Sequence, residues 1–321
     1  MGATYSVNVE KVRKIQKSIN AAIFAGNKKA LVGHYAGIVP FAGKKLAMHT
    51  DGVGTKVLVA DELGVYDTVG IDAIAMNVND IICIGARPLA GVDYLAVANE
   101  DEYLISEIMK GLVKGAKEAG IMIVGGETAI MKDVIHGKNR PFDLAFTALG
   151  VVEKYTTGSA IRCGDVLIGL ESSGLHSNGY TLARKVLGIK KWGKAMLTPT
   201  RIYVKPVMEM LHKCNVHGLA HITGGAFSKL TRLNKKLGFF IDNPAKPAPI
   251  FNALWNAVED EVHMYRTFNM GTGMVVVVPA REENEVVRIA RKHSVKAQAI
   301  GSVIREPGVY LADGARLDYK I

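Results

Sequence analysis

The sequence predicts a two-domain α/β protein, and three observations predict it. Amphipathic helical stretches alternate with short apolar strands along the whole chain. Its 321 residues are about two domains in length, and a 49% hydrophobic composition is enough for two buried cores. The third observation is a change of character at Lys154-Tyr155-Thr156-Thr157-Gly158, a polar junction that divides 1–155 from 156–321. No apolar run approaches the ~20 residues needed to span a bilayer, and Met1 to Glu10 lacks the basic-then-apolar order of a signal peptide. The chain is therefore expected in the cytoplasm, with no membrane partner. Cys83, Cys163 and Cys214 make no Cys-x-x-Cys pair, which excludes a zinc knuckle or redox motif and predicts three core residues. A net charge of +10 admits nucleic acid or phosphorylated small molecules. The lysine pairs 28–29, 44–45, 190–191 and 235–236 are isolated and lack interleaved aromatics, so nucleic acid is not the expected partner.

Taken in order, Val9, Val12, Ile15, Ile19, Ala22 and Ile23 recur at helical spacing between lysines and Arg13, an amphipathic helix that packs by one face. The run Lys45-Leu46-Ala47-Met48 reads as a strand opening into His49-Thr50-Asp51-Gly52-Val53-Gly54-Thr55-Lys56. There Gly52 and Gly54 let backbone N–H groups approach a ligand, Asp51 can hold a divalent cation and Lys56 can neutralise phosphate oxygens. Alone, these eight residues fit a plain Asp-Gly turn as well, and they do not match the Walker pattern. From Gly70 to Gly85, Ile71, Ile74, Ala75, Val78 and Ile82 mark a buried helical stripe, while Asp72 and Asn79 share a second face with Asp80 beside it. Unless that face is exposed, its carboxylates must be paired or hold a metal. A strand over Pro88 to Ala98, a helix from Leu104 ending near Gly120 and a strand Ile121-Met122-Ile123-Val124 lead to Gly125-Gly126-Glu127-Thr128. That turn repeats the chemistry of the first and adds a third acidic element. Phe142 to Val152 closes this half; with 88–98 it carries apolar residues on both faces, which predicts a homodimer through the amino-terminal half.

The second half opens with strand Asp165 to Leu170 and the loop Glu171-Ser172-Ser173-Gly174-Leu175-His176-Ser177-Asn178-Gly179-Tyr180, then a helix to Leu187. Hydroxyl, amide and imidazole groups around two glycines suit sugar hydroxyls or phosphate, and fit a capped polar loop as well. No Gly-x-Ser-x-Gly elbow accompanies His176, which argues against a hydrolase triad. Helix Ile202 to Cys214, the glycine turn His221-Ile222-Thr223-Gly224-Gly225-Ala226, helix Phe227 to Leu233 and strand Phe239-Phe240-Ile241 follow. Phe251 to Val258 reads as helix, Met274 to Val278 as strand, Glu282 to Lys292 as helix and Ala297 to Ile304 as strand. No solenoid period appears.

Nine segments carry a resemblance. They are Asp51-Gly-Val-Gly-Thr-Lys56, Gly70-Ile-Asp72, Val78-Asn79-Asp80, Gly125-Gly-Glu127-Thr-Ala129, Gly150-Val-Val-Glu153, Gly164-Asp165-Val-Leu, Ser172-Ser-Gly-Leu-His-Ser-Asn-Gly-Tyr180, His221-Ile-Thr-Gly-Gly225 and Phe268-Asn-Met-Gly271. In this order and spacing they resemble the phosphoribosylformylglycinamidine cyclo-ligases, also called aminoimidazole ribonucleotide synthetases, over nearly the whole chain. There are two departures. Many members have a third glycine and then a Glu-Asn pair where this chain has Ala226-Phe227-Ser228-Lys229, and the segment around Thr4-Tyr5-Ser6-Val7, part of an amino-terminal nucleotide lid in the family, lacks the usual Ala-Gly-Val-Asp.

The resemblance implies the fifth step of purine synthesis, in which formylglycinamidine ribonucleotide and ATP give aminoimidazole ribonucleotide, ADP and phosphate. It implies an α+β version of the α/β class in which the amino-terminal sheets of two subunits join into a shared barrel. It makes Asp51, Lys56, Asp80 and His176 the catalytic candidates, with Asp51 and Asp80 holding Mg2+. ATP would be bound by Gly52, Gly54, Thr55, Asp72, Asn79, Gly125, Gly126, Glu127 and Thr128, and a monovalent cation is a further candidate. The ribotide would be bound by Ser172, Ser173, Gly174, Ser177, Asn178, Thr223, Gly224, Gly225 and Asn269. The synthetase one step earlier shares the first motifs but belongs to a much longer chain. Selenophosphate synthetase and the hydrogenase-maturation relative need a reactive cysteine in an amino-terminal segment or at the carboxy terminus, which this chain lacks. A non-enzymatic nucleotide- or nucleic-acid-binding protein would fit the charge alone.

Overall fold

The computed structural model describes residues 9–26 and 35–318. The first half runs α1 (Val9–Gly26), β1 (Gly37–Phe41), β2 (Lys44–Gly52), α2 (Val57–Leu63), α3 (Val69–Cys83), β3 (Ala86–Val97), α4 (Glu102–Ala119), β4 (Met122–Ile130) and β5 (Phe142–Val152). Its strands form one sheet in the order β1-β2-β5-β3-β4, antiparallel except between β3 and β4. The second half runs β6 (Val166–Glu171), α5 (Tyr180–Val186), α6 (Ile189–Met196), α7 (Val204–Lys213), β7 (Gly218–His221), β8 (Gly238–Ile241), α8 (Pro249–Val258), α9 (Glu261–Thr267), β9 (Thr272–Val278), α10 (Glu283–Lys292), β10 (Ala297–Ile304) and β11 (Gly308–Leu311). Its sheet has the order β11-β8-β10-β6-β9-β7, and only β8 and β11 run parallel. The chain alternates strands and helices, yet most strand neighbours are antiparallel, so the architecture is α+β.

The two halves meet on α3. Every residue of α3 is buried, and the helix packs on β2, β3 and β5 of the first sheet and on β7 and α7 of the second half. Small residues let α4 press against it: a Cβ at Gly70 would lie 2.2 Å from the Leu112 nitrogen. Asp101 caps α4 by accepting from the Leu104 amide at 3.0 Å, and Gly120, left-handed at φ 73°, ends it. The run of valines in β9 is buried at all seven positions, as the interior of a sheet covered on both faces requires.

Several expectations need correction. The stretch Gly125-Gly126-Glu127-Thr128 is not a turn; it continues β4, paired with β3 across a bulge, with Gly125 at φ 151° supplying the backbone conformation there. The first helix forms, but Ile15, Ile19 and Ile23 are 50%, 52% and 38% exposed, so these three do not pack on the described chain. Cys83 and Cys214 are buried, whereas Cys163 is exposed in the turn before β6. In place of the α-helix expected over Phe227 to Leu233, Ala226–Arg232 forms a 3-10 helix. The elements β1, α2, α6, β7, α9 and β11 are too short or too polar to show in periodicity alone. The segment around Thr4 to Val7 lies outside the described residues, and among these no helix is long and apolar enough to cross a membrane.

Candidate active site

The buried helix α3 carries four polar side chains, and each has found partners on a different segment. Asp72 Oδ1 accepts from Lys56 Nζ at 2.9 Å, Ser177 Oγ at 3.1 Å, Thr200 N at 2.7 Å and Thr200 Oγ1 at 2.6 Å; its Oδ2 lies 2.8 Å from Lys56 Nζ. Lys56 also donates to the carbonyls of His176 at 3.1 Å and Thr198 at 2.7 Å. An ammonium has three protons and all three are engaged here, with both Lys56 and Asp72 fully buried. Lys56 therefore presents no donor to a phosphate, contrary to the role expected from the turn, because the chain after Gly54 winds into α2 and carries the side chain inward. Asp72 likewise faces Lys56 and the second half rather than a nucleotide. Asn79 donates to Arg201 O at 2.8 Å and accepts from Tyr203 N at 2.9 Å, which makes it a backbone ligand of the segment before α7.

The other end of α3 faces the end of β2. Asn77 Oδ1 is 3.0 Å from His49 Nδ1, and its amide donates to Asp51 O at 3.1 Å and to Ala73 O. The Asp80 carboxylate lies between two imidazoles, 2.7 Å from His221 Nδ1 and 3.4 Å from His49 Nε2. Burial would raise the Asp80 pKa, but the hydrogen bond and charge of His221, with Lys229 and His49, bring it below the usual carboxylate value. Asp51 is different: among the described residues its side chain accepts from the Gly52 amide alone, at 2.9 Å, and burial raises its pKa, with Asp80 adding to the rise against His49. Lys229, which donates to Thr223 Oγ1, is buried beside this pair; desolvation brings its ammonium down to about 8, against the upward pull of Asp80 and Asp51.

The loop 172–180 and the turn 221–226 meet each other over α3, the loop bonded to Asp72 through Ser177 and the turn to Asp80 through His221. Asn178 sits against the turn, since a Cβ at Gly224 would lie 2.9 Å from its Oδ1, and its buried Nδ2 has no partner. His176 adopts φ 62° and accepts from Ser173 N at 3.2 Å through Nε2, while its buried Nδ1 is unpartnered. Burial, then His221 and Lys56, keep this imidazole neutral, well below its ordinary pKa. Ser172 and Asn269 bond to each other at 2.8 Å, and Asn269 also holds Gly174 O and Gly271 N, so both shape the loop from within. Ser173 Oγ donates to Pro199 O. Ser177 belongs to the Asp72 network. Gly225 at φ 84° and Ala226 at φ 41° make the turn left-handed, which is why a glycine is the easier residue at 226. Partly or fully accessible here are Asp51, Gly52, Gly54, Thr55, Ser177, Asn178, Gly224 and Gly225.

Gly125, Gly126, Glu127 and Thr128 do not join this cluster within one chain. Glu127 pairs with Tyr94, Tyr94 with Ala145 and Ala145 with Gly52, so Glu127 is in the rung of Gly52 and on the face opposite to Asp51. Three strand spacings separate the two, roughly 14 Å. That second face carries Met48, Val92, Tyr94 and Met122, the last 65% exposed, with no described element covering it. The residues that sequence reasoning did not assign are His49, Asn77, Thr200, His221 and Lys229. His49 and His221 stood inside quoted motifs, but nothing in one dimension brings His221 to a carboxylate 141 positions away.

The profile of AIR synthase related protein, N-terminal domain, matches residues 33–152, and that of the C-terminal domain matches 162–314. The phosphoribosylformylglycinamidine cyclo-ligase of Thermococcus kodakarensis is 50% identical over 291 residues, covering 87% of this chain and 85% of its own; that of Saccharolobus solfataricus is 43% identical over 315 residues, covering 96% and 93%. The chain belongs to the phosphoribosylformylglycinamidine cyclo-ligase family. The cyclo-ligase fold extends to distant proteins: thiamine monophosphate kinase of Aquifex aeolicus superposes with a TM-score of 0.69 at 17% identity, covering 94% of this chain and 98% of its own, and HypE, a hydrogenase maturation protein of E. coli, with 0.66 at 20%, covering 86% and 85%. For a cyclo-ligase that uses a magnesium nucleotide, the donor set fits. Among the described residues Asp51 has one side-chain hydrogen bond, from the Gly52 amide, and lies near enough to Asp80 for that charge to raise its pKa; among the same residues no three metal-ligating side chains converge. Magnesium is commonly held by one or two carboxylates plus substrate phosphates rather than by an all-protein cage.

Proposed function

We propose that the chain closes the imidazole ring of formylglycinamidine ribonucleotide at the expense of ATP, giving 5-aminoimidazole ribonucleotide, ADP and phosphate, the fifth step of purine synthesis. Besides family membership, one observation carries the reading: α3 joins the Asp51–Gly52–Gly54 end of β2 through Asn77, the 172–180 loop through Asp72 and the 221–226 turn through Asp80, and Asn178 of the loop meets Gly224 of the turn. An amide oxygen is a poor leaving group, so ATP must first phosphorylate the formyl oxygen, after which the neighbouring nitrogen attacks and phosphate departs. Such a transfer asks the protein for positioning and charge more than for covalent chemistry, which fits a site with no obvious nucleophile. When bound, magnesium would neutralise the nucleotide phosphates, and Asp51 is the residue to hold it, with Asp80 behind. Gly52, Gly54 and Thr55 would approach the phosphates. Asn178, Gly224 and Gly225 would take the ribotide, Asn178 through its free amide N–H. Neutral and buried, His176 is suited to orienting the loop. His221 and His49 are the imidazoles on the carboxylate side, both against Asp80.

The uncovered face of the first sheet supports a homodimer built through the amino-terminal half, and a partner's Glu127, Gly125 and Gly126 would then be placed toward a shared site. Sedimentation at micromolar concentration checks this: a stable, active monomer excludes it. The activity itself is checked by ADP release with formylglycinamidine ribotide, compared with its formylglycinamide precursor plus glutamine. Turnover only with the first is the expected result; turnover only with the second assigns the preceding step.

A further inference from the structure

Lys56 and Asp72 form an ion pair with no solvent exposure. Two opposite charges so placed are seldom more stable than well-packed apolar residues of similar volume, because desolvation offsets their attraction. Stability alone does not account for the pair. Its contacts all point one way: Lys56 and Asp72 belong to the first half, while the other acceptors and donors belong to the second. These are the carbonyls of His176 and Thr198, the Ser177 hydroxyl, and the amide and hydroxyl of Thr200. The pair therefore grips two separate loops, 172–180 and 198–200, at once. One of the gripped groups is strained: His176 holds φ 62°, a conformation that costs a non-glycine residue energy and persists only where its surroundings fix it. The following residues are Ser177 and Asn178, and Asn178 is the side chain that meets the 221–226 turn.

We infer that Lys56 and Asp72 are positioning residues: the buried pair fixes the strained His176 peptide, and through it Asn178, at a set distance from the carboxylate end of β2. This rests on the ring-closure reading, in which Asn178 faces the ribotide and Asp51 the nucleotide. A phosphoryl acceptor displaced by about an ångström from its donor reacts far more slowly, so a rigid tie between the halves has a chemical use. The tie also explains why the lysine of the Asp-Gly-Val-Gly-Thr-Lys motif turns away from the glycines that precede it.

The test is the double variant Lys56→Met/Asp72→Asn. It removes both charges, keeps the volume, and leaves a side-chain carbonyl on α3 able to accept from Thr200. Two measurements read it. Amide hydrogen exchange in the unliganded protein is expected to speed up by about tenfold or more in 172–180 and 198–200, with β6 and β9 unchanged. In steady-state kinetics, the ribotide KM is expected to rise about tenfold while the ATP KM stays within about twofold. Wild-type exchange in both loops would overturn the proposal, and so would a rise confined to the ATP KM, which would return Lys56 to the phosphates. Should the double variant fail to fold, Thr200→Val, which leaves both charges in place, is expected to shift the same two quantities in the same direction by less; no shift in either overturns the proposal. If the wild-type protein turns over no formylglycinamidine ribotide, the ring-closure reading falls, and the exchange data still decide whether the pair positions the loops.

Discussion

Asp72 and Asp80 stand roughly 12 Å apart along one buried helix, and they have opposite surroundings. Asp72 is answered by a lysine, whose pKa burial lowers against the upward pull of Asp72 itself, and by hydroxyl and amide donors. Asp80 is answered by two imidazoles, beside a second carboxylate and a lysine lowered to about 8. The difference teaches that a buried carboxylate is read from its partners rather than from its motif. Asp72 meets a lysine and donors of two second-half loops, as a joint between the halves would, whereas Asp80 meets imidazoles beside a second carboxylate, the setting expected of a site.

The largest expected effect falls on the Asp80 side. Asp51→Asn should lower kcat by roughly a thousandfold while leaving the denaturation midpoint in place; wild-type turnover would remove Asp51 from the chemistry. The comparison is sharpened next by stability. Asp72→Ala leaves Lys56 buried and uncompensated and should cost about 3–5 kcal/mol in urea unfolding. Asp80→Asn, which keeps the shape and loses the charge, should cost about 1 kcal/mol, and equal losses would break the contrast.

Lys229→Met should raise stability at pH 7 by up to about 3 kcal/mol. The folded ammonium titrates near 8 and the unfolded one near 10.5, so the cost of burying the charge is complete below 8 and fades as pH rises toward 10.5. Unfolding at pH 7 and pH 10 should therefore show the gain shrinking; an unchanged gain would mean that the charge is not what costs. The smallest effect is at acid pH. Asp80 is held below the usual carboxylate value, so its contribution to stability is complete above the unfolded value near 4 and is lost as pH falls through the lower folded one. Wild type and Asp80→Asn should begin to converge in stability as pH falls below about 4.

Much of this was legible in the residues. The periodicity of 71–82 marks α3, the valine run marks β9, and the serial motifs point to the family, because each depends on neighbours within a few positions. The glycine pairs at 52–54 and 125–126 also look alike at that range. Pairing separates them: β4 continues through the second pair, and the two-residue period of the sheet sends Glu127 to the face opposite Asp51. In the same way the sequence determined that Asp72, Asn79 and Asp80 would need partners, since a carboxylate in an apolar helix cannot stay unanswered. Only the tertiary structure decided which partners. Lys56, sixteen residues from Asp72, and His221, 141 residues from Asp80, reach those carboxylates through the packing of α3 between two sheets, and no local rule of spacing carries that far.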